Sequence, residues 1–496
     1  MVKRLTVILL ILNLFFLARA KDTFTWGRLA NPGFENQPVK STLFFTGNWR
    51  NEVQFYDYNP SSNIGLYTIH PSDARHLGWS ESAANREFAV NTMINAGINV
   101  INMSYWGLPG TDNWAYWAPM QTSTGSHDEL FDAALGKHVL IAPYIESFAA
   151  TDSCEGFSFM DDFPGTADIP APKLIELIED LVDRYLVHPD NEQWPQKWAQ
   201  LYDHEGVGKY LVSIIHVASS QASLTDKEFA EGFDRVANAV YSHMGIRVGF
   251  ALDILPPGTN APGTFKATPA NTGSWLVQQE SILGIQCFIP EIWKGLSNEN
   301  DLITWKNTFM QGWINTGIPL IHDISPGYDA HIIFPGSPQY GNNQLWRNLQ
   351  NQAIASFSSE SFTFNAWNGY TEGFAGVPTL EYNDTTYQWV CGLFGGTCGN
   401  STGIHEKLEK SNPSVTISPN PSTGRFVINL NRDKPGPVEI VVFNTSGNQV
   451  ETLIHERMDQ GVNRIEWEAS GLDAGIYFIV IKLEDFYFIE KTVLIY

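Results

Sequence analysis

Positive charge is scarce in this chain: 30 Lys and Arg stand against 53 Asp and Glu, a formal net charge of −23 over 496 residues. Nothing gathers Lys or Arg into a basic face, which excludes nucleic acid as a partner. The acidity suits solubility outside the cell and a neutral or cationic partner, without naming one. Cysteine is nearly absent as well. Cys154, Cys287, Cys391 and Cys398 do not make a disulfide scaffold, and no C-x-x-C metal pattern occurs. Cys391 and Cys398 are close enough to close a small surface loop in an oxidising compartment. Long apolar runs are missing after the first 20 residues, so no transmembrane segment is expected.

Those first 20 residues read as a secretory signal peptide. Lys3 and Arg4 form the basic region, Leu5 to Leu17 the apolar stretch, and Ala18-Arg-Ala20 the cleavage site. No Cys follows that site, so nothing points to a lipid anchor. Aromatics, by contrast, are plentiful: 16 Trp, 18 Tyr and 30 Phe. Most belong to cores, but in an exported acidic protein so many also suit a site that stacks sugar rings.

The polar stretch NSTGIHEKLEKSNPS has no apolar periodicity and reads as a linker, placed at 401–412. Beyond it, over 413–496, short runs such as RFVINL, VEIVVFN and IYFIVIKL alternate apolar and polar residues between Gly, Asn and Asp turns. That pattern predicts a small all-β, Ig-like sandwich. Residues 21–400 are expected to form the other domain, and residues 43–373 within it have another rhythm. Apolar, β-branched runs at 64–71, 98–106, 137–146, 209–219, 247–255, 285–293, 318–325 and 361–367 alternate with amphipathic stretches. Residues 174–186 place apolar side chains at helical spacing behind Pro172, and Thr225-Asp-Lys-Glu228 is a capping box. Eight nearly continuous apolar strands, each followed by a helix, imply a parallel sheet covered by helices, closed as an α/β (β/α)8 TIM barrel. An open doubly wound sheet is the alternative, but no Gly-rich phosphate loop follows its first strand.

In such a barrel the site lies at the C-terminal ends of the strands. Those ends carry His70 and Asp73, Tyr105 and Trp106, Tyr144 and Glu146, His216, Asp253, Glu291 and Trp293, His322 and Asp323, then Trp367, Asn368, Tyr370 and Glu372. Glycoside cleavage asks for this kind of set: one carboxyl to protonate the leaving oxygen, a second to attack or to activate water, and aromatic faces against the sugar. Any single one of these residues also has an ordinary use, capping a helix or holding a loop. Glu146, Glu291 and Glu372 each end a strand beside aromatics and are the catalytic candidates. His322, Asp323, Asp329 and His331 can be read as a metal cluster, though without helical or Ca²⁺-loop spacing. No metal and no cofactor is expected.

The stretch Trp367-Asn-Gly-Tyr-Thr-Glu-Gly373 resembles the strand-eight signature of glycoside hydrolase families 71 and 99, which runs aromatic-Asn-acid-aromatic-x-Glu-Gly or Ser. Ser325-Pro-Gly-Tyr-Asp329 is similar to the stretch after strand seven in family 99, which adds Tyr328 to the substrate-binding candidates. The resemblance implies endo action on an α-glucan or α-mannoside, with Glu372 as general acid. The first acid of the signature falls on Gly369, which has no side chain to serve. The partner carboxylate is then expected from another strand, with Glu291 first, Glu146 and Asp323 behind it.

Residues 413–496 resemble a type IX secretion C-terminal sorting domain, on Ser418-Pro-Asn-Pro-Ser-Thr-Gly424, Val442-Phe-Asn-Thr-Ser-Gly447, Gly471-Leu-Asp-Ala-Gly-Ile-Tyr477 and the closing Lys491-Thr-Val-Leu-Ile-Tyr496. That implies the type IX machinery as a partner and passage through the periplasm and outer membrane, to release or surface attachment. Three readings follow: a secreted glycoside hydrolase, a glycan-binding surface protein that keeps the barrel without one acid, and a metal-dependent hydrolase using His322, Asp323 and His331.

Overall fold

The computed structural model describes residues 24–46, 67–76, 79, 82–105, 125–146, 163–165, 171–217, 223–260, 265–295, 298–332, 335–357, 359–398, 414–432, 434–444, 449–483 and 487–495. The expected signal peptide and the linker 401–412 lie outside these residues.

Eight parallel strands form one sheet: β1 Lys40–Phe44, β2 Val100–Tyr105, β3 Leu140–Glu146, β4 Gly208–Val217, β5 Val248–Ile254, β6 Ile282–Gln286, β7 His322–Ile324 and β8 Phe362–Phe364. Each neighbours the next, and β8 returns to β1 through the pairs Lys40↔Phe362 and Thr42↔Phe364. The ring closes between β6 and β7, where Ile285 bridges Leu320 in parallel. Each strand is followed by a helical segment: α1 Ala83–Asn95, α2 Gly125–Ala134, α3 Pro172–Val182, α4 Asp226–Met244, α5 Gly273–Leu276, α6 Glu299–Ile314, α7 Gln344–Ser356 and α8 Thr385–Phe394. This is the (β/α)8 barrel that the sequence predicts.

The alternation along β4 shows why the strands read as continuous apolar runs. Val212 and Ile214 face the helices, while Leu211 and Ile215 belong to clusters inside the ring, so both faces are buried. Each such fully buried aliphatic side chain contributes about 1.5–3 kcal/mol. The helices follow their caps. Glu228 N donates to Thr225 Oγ1 (3.2 Å) and Thr225 N to Glu228 Oε2 (3.0 Å), so the capping box opens α4. Gly245, at φ 71°, ends it.

Two interior clusters fill the ring. Leu29, Phe34 and Leu201, with Leu140, Leu211 and Leu283, seal the N-terminal end. Leu43, Phe45, Tyr144, Phe288, Tyr328 and Phe374 are among those that line the C-terminal end, the mouth.

The first strand departs from the sequence reading. Residues 67–71 of the expected 64–71 run contain no strand, and β1 lies upstream in KSTLF. Its Ser41 and Thr42 are buried, and Thr42 Oγ1 donates to Phe364 O (2.7 Å), so polar side chains satisfied across the ladder masked the pattern. The sixth strand also starts earlier than expected. Pro290, which has no N–H for a ladder, opens a short 3-10 turn, Pro290–Trp293, where strand was anticipated. Cys391 and Cys398 are disulfide-bonded, and Cys287 is free and buried.

The C-terminal segment consists of two antiparallel sheets. One joins Ser414–Ser418, Arg425–Arg432 and Gly461–Glu468. The other runs Gln449–Met458, Gly436–Asn444, Gly475–Leu483, Tyr487–Leu494. Phe426, Ile428, Leu430, Ile440, Trp467 and Ile479 are among the side chains that fill its core, the all-β unit expected from the alternating runs.

Candidate active site

Most polar groups at the mouth tie one strand end to another. Asp253, just inside the end of β5, accepts from His216 N (3.0 Å) through Oδ2 and from Phe288 N (2.9 Å) through Oδ1. Burial pushes its pKa up to about 7, against the lowering effect of those two N–H groups. His216 sits at φ 53°, an uncommon backbone for a residue with a side chain, and burial pushes its imidazole down to about 3, so it is neutral. Asp323 on β7 accepts from Asn365 Nδ2 (2.6 Å) and Ile289 N (3.3 Å) through Oδ1. Ile289 is β-branched and left-handed, φ 39°, a conformation that costs about 1–3 kcal/mol and needs such a tether. Asn368 makes both amide bonds to one residue of β1's extension, accepting from Phe45 N and donating to Phe45 O, each 2.9 Å. Asp253, Asp323 and Asn368 thus belt the mouth from β4 round to β1.

Glu291 and the other oxygen of Asp323 are engaged by one cation. Lys306 Nζ donates to Glu291 Oε1 and to Asp323 Oδ2, and all three residues are 0–1 % exposed. Two carboxyl groups share a single ammonium. Burial opposes the charge on Lys306, but Asp323 and Glu291 outweigh it and hold the ammonium protonated. Burial also raises Glu291, with Lys306 only partly compensating because it is shared.

Glu372 is different. It ends the 3-10 turn Tyr370–Glu372 that follows β8, and its side chain is only partly covered. The packing around its carboxyl pushes the pKa up to about 7, and the one bond that opposes this is Tyr328 Oη donating to Oε1 (3.2 Å). Tyr328 comes from a hairpin after β7, in which Gly327–Asp329 pairs antiparallel with Gln339–Gly341. Asn342, next along, donates from Nδ2 to Gly373 O (2.8 Å) and fixes the hairpin to the Glu372 turn.

Gly369 is the most informative position. A Cβ built there would lie 1.8 Å from Phe374 Cε2 and 2.2 Å from Cδ2. Phe374 is fully buried in the mouth cluster. The cell in which a side chain at 369 would begin is filled by a phenyl ring.

The remaining expected residues spread out. His70 pairs through Nδ1 with Glu381 Oε1 (2.7 Å), and Asp73 is held by Arg75 within its own turn. Tyr144 lies in the mouth cluster, and Trp293 sets its ring edge against His216 (5.5 Å). Tyr105 and Trp367 are not brought to the mouth; both are 1 % exposed in the core between strands and helices, where Trp367 packs on Phe364 and Tyr387. Tyr370 is buried in that same core beside Tyr67. Glu146 ends β3 opposite Ile215; its side chain and all of Trp106 lie outside the described residues. The metal reading finds no cluster. His322 faces the Phe357 and Phe362 rings, Asp323 faces Lys306, and His331 pairs with Asp329 (2.5 Å). Among the described residues no group of three His, Cys, Asp or Glu is placed to hold a metal ion.

Sequence reasoning missed Lys306, Asn365, Phe374 and Tyr340. Lys306 had a visible signal: it occupies the buried stripe of α6 with Leu302, Ile303, Met310 and Trp313, where a lysine requires buried partners.

No curated protein matches the chain. Among solved structures it is similar to the GH99 endo-α-mannosidase from Bacteroides thetaiotaomicron, at 15% identity and TM-score 0.45, over 71% of this chain and 96% of that one. The endo-β-1,4-mannanase from Thermotoga petrophila follows at 10% and 0.40, over 87% and 98%. A tri-modular GH5 endo-β-1,4-glucanase from Bacillus licheniformis stands at 10% and 0.37, over 91% and 78%. Likeness at this level carries no inference about substrate or residue roles. No described helix is long and apolar enough to cross a membrane. Residues 416–495 match the family described as "Secretion system C-terminal sorting domain", so the chain ends in a type IX sorting domain, a mark of export to secretion or cell-surface attachment.

Proposed function

We propose that the barrel is an exported glycoside hydrolase in which Glu372 donates the proton to the leaving glycosidic oxygen. The observation that carries this reading is a partly open carboxyl at the barrel mouth, with pKa about 7, held by Tyr328. A carboxyl of that kind stays protonated near neutrality, as a general acid must. Activity then falls as pH rises through about 7. On a polysaccharide panel followed by reducing-end release, Glu372→Gln abolishes turnover while the fold persists. Unchanged turnover in that variant would remove the assignment. Endo action rests on the strand-eight resemblance alone and would appear as oligosaccharides of mixed length.

One observation favours a second reading. Phe374 fills the cell at Gly369, Lys306 engages Glu291 and Asp323, and Asp253 is bonded to two backbone N–H groups. Of the other carboxyls, Asp253, Glu291 and Asp323 are committed and Asp329, beside Gly373, pairs with His331, which suits a barrel that binds glycan without cutting it. Affinity electrophoresis showing retention, with no reducing ends released by the wild type, selects this reading.

A further inference from the structure

Three aromatic rings lead from the helix layer to the Glu372 carboxyl. Trp346, in the first turn of α7, is anchored by Nε1 donating to Ser325 O (2.9 Å). Ser325 directly follows β7, and Gln350 grips it from the next turn of α7, accepting from Ser325 N (3.1 Å) and donating to Ser325 O. The Trp346 ring packs on Tyr340 (4.9 Å between centroids), and Tyr340 stacks on Tyr328 (6.2 Å, 25°). Tyr328 Oη then donates to Glu372.

The hairpin that carries the two tyrosines is held tightly. They are direct cross-strand partners, and the next pair, Gly327↔Gly341, approaches so closely that a Cβ on Gly341 would lie 2.3 Å from Gly327 Cα. Glu299 Oε1 accepts from Gly341 N (2.8 Å), tying the same strand to α6. Tyr340 is only partly covered, yet its Oη is buried without a hydrogen-bond partner among the described residues. The ionisable groups around that hydroxyl are Glu291, Asp323, Tyr328 and Glu372. A phenol buried at that junction is not explained by a bond of its own, whereas its ring contacts are extensive.

We infer that Tyr340 is a positioning residue for Glu372: its ring, backed by Trp346, clamps Tyr328 against the carboxyl and shields from water the side of the carboxyl that Tyr328 covers. This rests on the reading of Glu372 as the acid. The clamp acts through the ring, so the hydroxyl of Tyr340 is dispensable to it.

The test is the Glu372 titration in the full chain, followed by infrared difference spectra of each protein minus its Glu372→Gln counterpart, which needs no substrate. In Tyr340→Phe the midpoint stays at the wild-type value near 7. In Tyr340→Leu, which keeps bulk but not the planar stack, and in Tyr340→Ala, it falls toward the ordinary carboxylate range: water reaches a carboxyl that burial had raised, and burial is a larger cause than the lowering Tyr328 bond that is lost with the clamp. A ring that merely fills space would lower the melting temperature without moving the midpoint. A wild-type midpoint in a folded Tyr340→Leu overturns the clamp and leaves Glu372 as acid standing. A wild-type protein that itself titrates in the ordinary range overturns both.

Discussion

Lys306→Met deletes the one positive charge between two carboxylates that are 0–1 % exposed. Methionine nearly matches the volume of the lysine stem, so the cost is electrostatic rather than a cavity. Removing one partner of a buried ionic cluster costs about 3–5 kcal/mol, because the charges left behind have neither water nor a counter-ion. The variant recovers part of that loss by protonating Glu291. Burial already raises Glu291 above its ordinary 4.5, and the loss of Lys306 raises it further. A carboxyl whose folded pKa exceeds its unfolded one stabilises the fold below the unfolded value, and that contribution is lost as pH rises toward the folded value. The destabilisation of Lys306→Met is therefore largest near neutrality and shrinks as pH falls toward the ordinary glutamate value of 4.5. Urea unfolding followed by tryptophan fluorescence suits the measurement, since Trp467 is the only tryptophan after the linker and the rest report on the barrel. The midpoint is expected to drop by about 1 M at neutral pH and by less under acid. A variant as stable as the wild type near pH 7, or one that loses more in acid than at neutrality, would show that the cluster is not the buried, charge-sharing unit described here.

Two further substitutions probe the mouth. Gly369→Ala forces a methyl into the Phe374 ring and costs about 1–3 kcal/mol. Calorimetry should find that cost smaller in a Phe374→Leu background, and strict additivity of the two changes would refute the collision. Asn368→Ala removes two buried bonds, to Phe45 N and to Phe45 O, and costs about 1–3 kcal/mol. A loss of only a few tenths on the same instrument would mean that these groups find other partners.

The barrel was legible because seven of its eight strands overlap the mainly apolar runs of the sequence, as a parallel sheet buried under helices requires. β1 was not, since its buried Ser41 and Thr42 make their bonds to a strand more than 300 residues away, which no local pattern carries. The strand ends were legible as an inventory, not as roles. Asp253, Asp323 and Asn368 read alike as polar residues after apolar runs, and the belt they form depends on backbone N–H groups of other strands. Glu291 and Glu372 look equivalent in sequence, each beside aromatics. What separates them is Lys306 on α6 in one case and Tyr328 on a hairpin in the other.

That difference bears on what a carboxylate at a barrel mouth can do. A general acid needs its proton near neutral pH and a face open to the substrate; an ion-paired carboxylate offers neither. Glu372 has its pKa raised to about 7 and is partly uncovered, whereas Glu291 is 1 % exposed and bonded to Lys306 beside Asp323. The resemblance at strand eight made Gly369 look like a missing group, a place where something had been lost. The packing gives it another character. Phe374 occupies the cell, Gly369 is the only residue that lets it, and Asn368 beside it is committed to β1. Changing residue 369 alone therefore cannot supply a second acid, because the ring has to leave first. If Glu372 is the acid, the group that completes its chemistry must reach it from outside that turn.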